Sequence, residues 1–113
     1  MTIPEFRSEA LAVPGAVESS HMNHPDFRLH GRIFATLGHP DESWAMMKLN
    51  AEQQAEMVDC ASHVFSPANG AWGKQGSTKV FLPAATKPLV RQALSFAFKN
   101  SQAALKRPLG FKP

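Results

Sequence analysis

The chain has 113 residues, of which 43% are hydrophobic, and this length and composition predict one domain that buries its own core. No apolar run reaches about eighteen residues, which excludes a transmembrane helix, and the single cysteine, Cys60, excludes an intramolecular disulfide. No apolar signal-peptide core follows the charged start of the chain, so we expect a protein of the reducing cytoplasm.

The net charge of +3 is unevenly distributed along the chain. Residues 1–59 contain four Lys or Arg and all nine acidic residues, a net charge of −5. Residues 60–113 contain eight Lys or Arg and no acid, a net charge of +8. Such asymmetry favours an anionic partner for the second half. The alternative is that the two halves neutralise each other in the fold.

A short helix is predicted for Thr2–Ala12, because Thr2 and Glu5 have the spacing of a capping box. Pro14-Gly15 ends this helix.

The next segment predicts the start of an antiparallel sheet. Val17–Met22 is a weak strand candidate, and His24-Pro25-Asp26 is expected to interrupt the pattern. Phe27–Leu29 and Ile33–Leu37 then alternate on either side of a predicted two-residue turn at His30-Gly31.

A third strand is predicted for Trp44–Leu49, and Asn50 then caps a helix that runs to about Cys60. The predicted apolar stripe of this helix consists of Ala51, Ala55 and Val58.

The stretch Val64–Leu82, VFSPANGAWGKQGSTKVFL, has three glycines at a three-residue spacing around Trp72. It predicts a glycine-rich loop that leads into a strand over Ser77–Leu82. Thr86 then caps a long helix. The predicted buried face of that helix consists of Val90, Ala93, Leu94 and Ala97.

The predicted order is therefore α-β-β-β-β-α-β-α, which is typical of an α+β fold with a mostly antiparallel sheet and helices packed on one face. We expect residues 1–106 to form the single domain and residues 107–113 a basic C-terminal tail.

Two stretches resemble the MmcQ/YjbR-like proteins, a family with a CyaY-like fold. One is PGAVESSHMNHPDFRLHGRIFATL, residues 14–37, and the other is VFSPANGAWGKQGSTKVFL, residues 64–82. KLNAEQQAEMV between them is also in the style of the family, and the resemblance covers roughly residues 11–106. Its most specific part is Gly-Ala-Trp-Gly followed by a basic residue and Gly76.

This resemblance implies DNA binding by a curved sheet whose projecting hairpins form a double-wing arrangement. The chain departs from the family at Ser77, where many relatives carry an aromatic residue, so part of a stacking surface is expected to be missing. Frataxin-like relatives bind iron through an acidic first helix. Here that helix offers only Glu5 and Glu9, so iron binding is not implied.

Basic residues flank both the glycine loop and the His30-Gly31 turn, where they could straddle a phosphate backbone. The alternative is solubilising charge at an exposed sheet edge. Trp72 is a candidate for base stacking, although an aromatic framed by glycines more often packs into its own core. The candidate nucleic-acid-binding residues are Arg28, Arg32, Trp72, Lys74 and Lys79, with Lys87 and Arg91 as outer candidates.

A histidine-rich series, His21, His24, Asp26 and His30, fits no common zinc pattern. Pro25 argues against continuous pairing that would place these side chains on one face. We expect the histidines to cap turns or bond backbone groups, and no metal site.

Cys60 is expected to be a buried or half-buried inert thiol, and Trp44 a packing residue. No nucleophile–base pair, catalytic carboxylate pair or phosphate-binding glycine motif is present, so we expect no enzyme and no cofactor.

The sequence thus predicts a small cytoplasmic DNA-binding protein, monomeric or weakly dimeric, that contacts phosphates in a salt-sensitive manner and has no membrane partner. The alternative is a non-enzymatic module for a protein or a small acidic ligand. Its groove would lie between the curved sheet and the glycine loop.

Overall fold

A computed structural model describes residues 1–105 and shows one six-stranded antiparallel sheet with helices packed against one face. The strands lie in the order β1-β2-β3-β4-β6-β5. The helices are α1 (Ile3–Leu11), α2 (Ala51–Cys60), α3 (Gly70–Lys74) and α4 (Lys87–Leu105), with a 3-10 turn at Leu82–Ala84. The strands are β1 (Val17–His21), β2 (His24–Leu29), β3 (Arg32–Leu37), β4 (Trp44–Lys48), β5 (Phe65–Pro67) and β6 (Ser77–Phe81).

Two tight hairpins connect the first three strands. The predicted turn at His30-Gly31 is confirmed, with φ angles of 54° and 80° that suit a two-residue hairpin turn. The predicted interruption at His24-Pro25-Asp26 is wrong, because the chain turns earlier, at Met22-Asn23, and β2 runs through Pro25. Proline is tolerated there because the pairing of β2 with β3 starts only at Asp26, which leaves Pro25 paired on one side.

Capping boxes begin the first two helices as the sequence predicts. The Thr2 hydroxyl accepts a hydrogen bond from the Glu5 backbone, and the Asn50 side chain accepts one from the backbone of Gln53. The predicted buried face of α4 is also confirmed, since Val90, Ala93, Leu94 and Ala97 are at most 3% exposed.

The predicted apolar stripe of α2 is wrong at two of its three residues, since only Val58 packs against the core. Ala51 and Ala55 are exposed, whereas Gln54 and Met57 are the buried residues. Burial of small alanines contributes little free energy. The face of α2 that packs on the core is instead the one that carries Gln54, because Gln54 finds backbone hydrogen-bond partners there.

The core lies between the sheet and the layer formed by α1, α2 and α4. Phe6 of α1 packs edge-on against Phe27 of β2 with ring centroids 6.3 Å apart, and Phe27 lies 6.5 Å from Phe34. A bulge between β2 and β3 turns both Phe34 and Ala35 inward. The layer of α1, α2 and α4 therefore covers one face of the sheet and leaves the other face open to the groove described below.

The glycine stretch is not one loop, as predicted, but contains strand β5 and the short helix α3. Gly73 of α3 lies so close to the Ala68 carbonyl that a Cβ would collide with it. Gly76 combines a φ of 115° with an equally close approach to the Leu49 carbonyl. These two glycines let the segment pack against its neighbours backbone to backbone.

The α+β class with an antiparallel curved sheet is confirmed, with β5 and α3 added to the predicted order. The predicted basic tail, residues 107–113, lies outside the described residues, as does Lys106 of the predicted domain.

Candidate functional site

The face of the sheet opposite α1, α2 and α4, here called the open face, carries the candidate site. Alternation places Ala45, Met47 and Val80 in the core, so their neighbours along β4 and β6 point the other way. One row of the open face crosses all six strands. In strand order it consists of Ser19, Asp26, Thr36, Met46, Lys79 and Ser66.

A groove of about 690 Å³ runs over this face, between the sheet and α3. None of the described residues that line it is acidic. Its basic and imidazole side chains are Lys48, Lys79, His21, His24 and His39. Its main apolar side chains are Met22, Ile33, Met46 and Trp72. The arrangement suits a ligand that combines negative charge with apolar or flat surface.

Trp72 is not a core residue, although aromatic residues framed by glycines more often pack into their own core. It projects from α3 and is 65% exposed. The Lys48 ammonium lies 5.9 Å from the centroid of its ring. Because α3 packs through backbone contacts of Gly73, its packing does not use the Trp72 indole, which lines the groove instead.

A second tryptophan–lysine pair lies on the same face. The Lys79 ammonium is 5.0 Å from the centroid of Trp44, and Trp44 packs on Phe81 at 4.9 Å. Trp44 is a packing residue, as expected, but it packs on the open face and not in the core. These contacts stabilise the extended side chain of Lys79, because the attraction between a cation and an exposed aromatic ring contributes about 0.5–1 kcal/mol.

Arg28 is held by a buried carboxylate. Its guanidinium donates two hydrogen bonds to Asp26, at 2.8 and 3.0 Å, and His21 Nδ1 lies 2.7 Å from the same carboxylate. The Arg28 hydrogen bonds, and after them the contact with His21, hold the pKa of Asp26 below its usual value. Arg28 is therefore an internally neutralised cation at the edge of the open face.

The remaining histidines of the series do not converge with His21 on a metal site. His24 packs edge-on against His39 with centroids 5.7 Å apart, and His30 occupies the second hairpin turn. Within residues 1–105, no three His, Cys, Asp or Glu side chains form a group that could hold a metal ion. The expectation that Pro25 breaks the pairing was wrong, so His24 and Asp26 do share a strand face.

Arg91 and Lys87 lie on α4, in the helical layer and away from the groove. Arg91 donates to Glu9 of α1 at 2.7 Å, which raises the pKa of Arg91 and lowers that of Glu9. The hydrogen bonds with Thr2 lower the pKa of Glu5, and the charge of Lys87 acts in the same direction on Glu5 and Glu9.

Arg32 and Lys74 are both exposed at the ends of elements. Arg32 pairs with Leu29 beside the hairpin turn and so points away from the open face, whereas Lys74 ends α3. Of the seven predicted residues, the structure thus brings only Trp72 and Lys79 together in the groove.

The two oppositely charged halves are joined by one ion pair among the described residues, that of Arg91 with Glu9. The other ion pairs of residues 1–105 lie within the first half. Among residues 1–105, the lysines of the second half therefore have no carboxylate partner in an ion pair.

Cys60 is exposed at the end of α2, so the expectation of a buried or half-buried thiol is wrong. The helix turns its Met57 face inward, which leaves the last residue facing solvent.

Lys48 is the lysine of the groove that the sequence interpretation missed. Strand alternation from Trp44 through Met46 to Lys48 was the available signal, because it puts all three on one face. Met22 and His39 were missed for a different reason, since both lie on turns that only the tertiary fold brings to the groove.

Each helix among residues 1–105 is too short or too polar to cross a membrane.

The architecture defines a small α+β protein with a helical layer on one side of an antiparallel sheet and a basic groove on the other. A family model described as YjbR matches residues 11–100, so the chain belongs to the YjbR family. No curated protein matches the chain. The family description names no catalytic activity.

A solved structure agrees with this fold. The crystal structure of the Deinococcus radiodurans protein DR2400, which carries the domain DUF419, superimposes with a TM-score of 0.68. The match covers 98% of this chain and 82% of that one at 17% sequence identity. At this identity the similarity concerns the fold alone.

Proposed function

We propose that the protein binds DNA through the open face of the sheet, mainly by contacts to phosphates and without catalysis. The observation that carries the proposal is the charge of the groove, in which Lys48 and Lys79 face the same space and no described lining residue is acidic. Phosphate contacts need positive donors at a suitable span and no sequence-specific side chains.

The two lysines are arranged on neighbouring strands. Lys79 pairs with Met46, and Lys48 is two residues further along β4, so the two lysines are diagonal neighbours. The two residues are therefore about 7–8 Å apart, with their Cβ atoms somewhat closer. This arrangement gives two ammonium groups that can contact one phosphate or two successive phosphates.

The opposite layer of the molecule offers a poorer surface for a polyanion. α1 carries Glu5 and Glu9, α2 carries three acidic residues, and Arg91 is paired with Glu9. On the open face, the Asp26 carboxylate is already paired with Arg28 and His21, and Lys48 and Lys79 have no ion-pair partner among the described residues. In this proposal the β1–β2 and β2–β3 hairpins would serve as the two wings of a double-wing arrangement.

Fluorescence anisotropy of a labelled duplex, at about 50 and 200 mM salt, tests the proposal. We expect binding that weakens steeply with salt. Lys48→Gln combined with Lys79→Gln should weaken it and reduce the slope of log K against log salt by about 2, one for each lost phosphate contact.

The matched control is Lys87→Gln combined with Lys99→Gln, which removes the same charge from exposed positions of α4. It should bind as the wild type does. Absence of binding by the wild type at the lower salt concentration would overturn the proposed function, and equal losses in both double variants would reject the open face as its site.

A second candidate function is the binding of a small acidic ligand in the same groove. The volume of about 690 Å³ and the mixture of apolar and basic lining favour it. A thermal-shift screen with small carboxylates and phosphates would reveal such a ligand as a rise in Tm that depends on Lys48 and Lys79. A shallow salt dependence would distinguish it from a polyanion.

A further inference from the structure

Trp72 is a large aromatic side chain that the fold does not need for its own packing. It is 65% exposed, whereas most large hydrophobic residues of the described chain are buried. The helix that carries it is held by other contacts. Gly73 packs on the backbone of Ala68, and the Gln54 amide donates hydrogen bonds to the carbonyls of Gly73 and Ser77.

The indole is also placed where a ligand can reach it. Trp72 lines the groove together with Met46 and Ile33 on the sheet, and its ring is on the same side of the molecule as Lys48. An exposed apolar surface with a polar rim is typical of a binding site. Trp44, in contrast, already packs on Phe81 and Lys79 and has less free ring surface.

The groove therefore presents a mostly exposed aromatic ring with one ammonium group, that of Lys48, over it. Lys48 is 5.9 Å from the Trp72 centroid, so a bound group that stacks on the indole would have its negative charge near this ammonium. An unpaired nucleotide has both parts at this spacing, a flat base and an attached phosphate. In a duplex the base faces are stacked inside the helix, and Trp72 could not use them.

We infer that the groove binds single-stranded DNA in preference to duplex, with a base stacked on Trp72 and its backbone phosphate near Lys48 and Lys79. This inference rests on the proposed DNA-binding function and adds the form of DNA that is bound. The floor of Met46 and Ile33 provides apolar contact below the base, and the absence of acidic lining residues from the described groove matches the charge of the strand.

The test compares a labelled oligothymidylate with a duplex of equal length by fluorescence anisotropy, at the two salt concentrations given above. Trp72→Ala is expected to lower affinity for the oligothymidylate about tenfold or more. It should change duplex affinity less than about twofold. Trp72→Phe, which keeps an aromatic ring, should retain most of the single-strand affinity.

Because Trp72 is exposed, Trp72→Ala should keep the circular dichroism spectrum and the Tm of the wild type. If Trp72→Ala does not fold, Trp72→Phe is the second variant for the comparison. Leu11→Ala, which removes another partly exposed hydrophobic side chain from the helical layer, is the matched control and should bind as the wild type does.

Equal affinity for single strand and duplex, or an unchanged single-strand affinity of Trp72→Ala, would overturn the inference and leave the proposed DNA binding intact. Tighter binding of an oligouridylate than of the oligothymidylate would overturn the assignment to DNA. Binding of neither DNA form would instead overturn the proposed function itself.

Discussion

Gln54 is the residue whose replacement tests most directly how α3 is attached to the fold. It is a buried polar side chain on α2, 9% exposed, and its Nε2 donates to the Gly73 carbonyl at 3.0 Å and to the Ser77 carbonyl at 2.9 Å. Replacement by methionine keeps the length and most of the volume of the side chain but removes both donors.

The expected loss of folding free energy depends on which hydrogen bonds the two carbonyls keep in the variant. Ser77 still accepts a hydrogen bond from the backbone of Ala68, and Gly73 still accepts one from Gly76, so neither carbonyl is left without a partner. The loss is therefore that of two ordinary hydrogen bonds, each contributing about 0.5–1.5 kcal/mol, and we expect Gln54→Met to destabilise the protein by about 2 kcal/mol. For a domain of this size that is a fall in Tm of roughly 10 °C.

Urea denaturation followed by tryptophan fluorescence measures the free energy of unfolding of both proteins. Gln92→Met is the matched control, because Gln92 is exposed on α4 and reaches Glu56 only at 3.4 Å. It should remain within about 0.5 kcal/mol of the wild type. A Gln54→Met variant as stable as this control would refute the idea that the amide holds α3 in place.

Two further predictions concern the fold. Arg28 holds the pKa of Asp26 below its unfolded value, so this carboxylate stabilises the fold above the unfolded pKa of about 3.9 and the contribution is lost as pH falls through the folded value. Urea titrations between about pH 7 and 3 should show Asp26→Asn less stable than the wild type at pH 7 and the difference closing in acid. A constant difference would contradict this assignment. Phe6→Ala empties a fully buried site beside Phe27 and should cost about 3–5 kcal/mol in the same assay, and a loss below about 1 kcal/mol would show that Phe6 is not central to the core.

Local signals of the sequence predicted most of the elements. Both capping boxes and the turn at His30-Gly31 involve residues no more than a few positions apart, so their chemistry is readable without knowledge of the partners. β5 and α3 were missed because they are too short to carry a periodic pattern. β5 forms by pairing with β6, and α3 is held by the amide of Gln54 on α2, so both depend on contacts with other elements.

The sequence also predicted that a basic surface would exist, but not where it would lie. Pairing of β4 with β6 brings Lys48 beside Lys79, while Arg91 is drawn to Glu9 in the other layer and Arg28 to Asp26. Which cations stay available to a ligand is decided by contacts between residues far apart along the chain, or by the registers of strands that only pair in the folded state.

The sequence by itself therefore determined the family, the α+β class and the segregation of charge, because these depend on local propensity and on motif. The tertiary structure decided that Trp72 is exposed and that a groove without acidic lining lies between α3 and the sheet in the described chain. The physical reason is that a glycine allows α3 to pack through its backbone, which leaves the indole free for the groove.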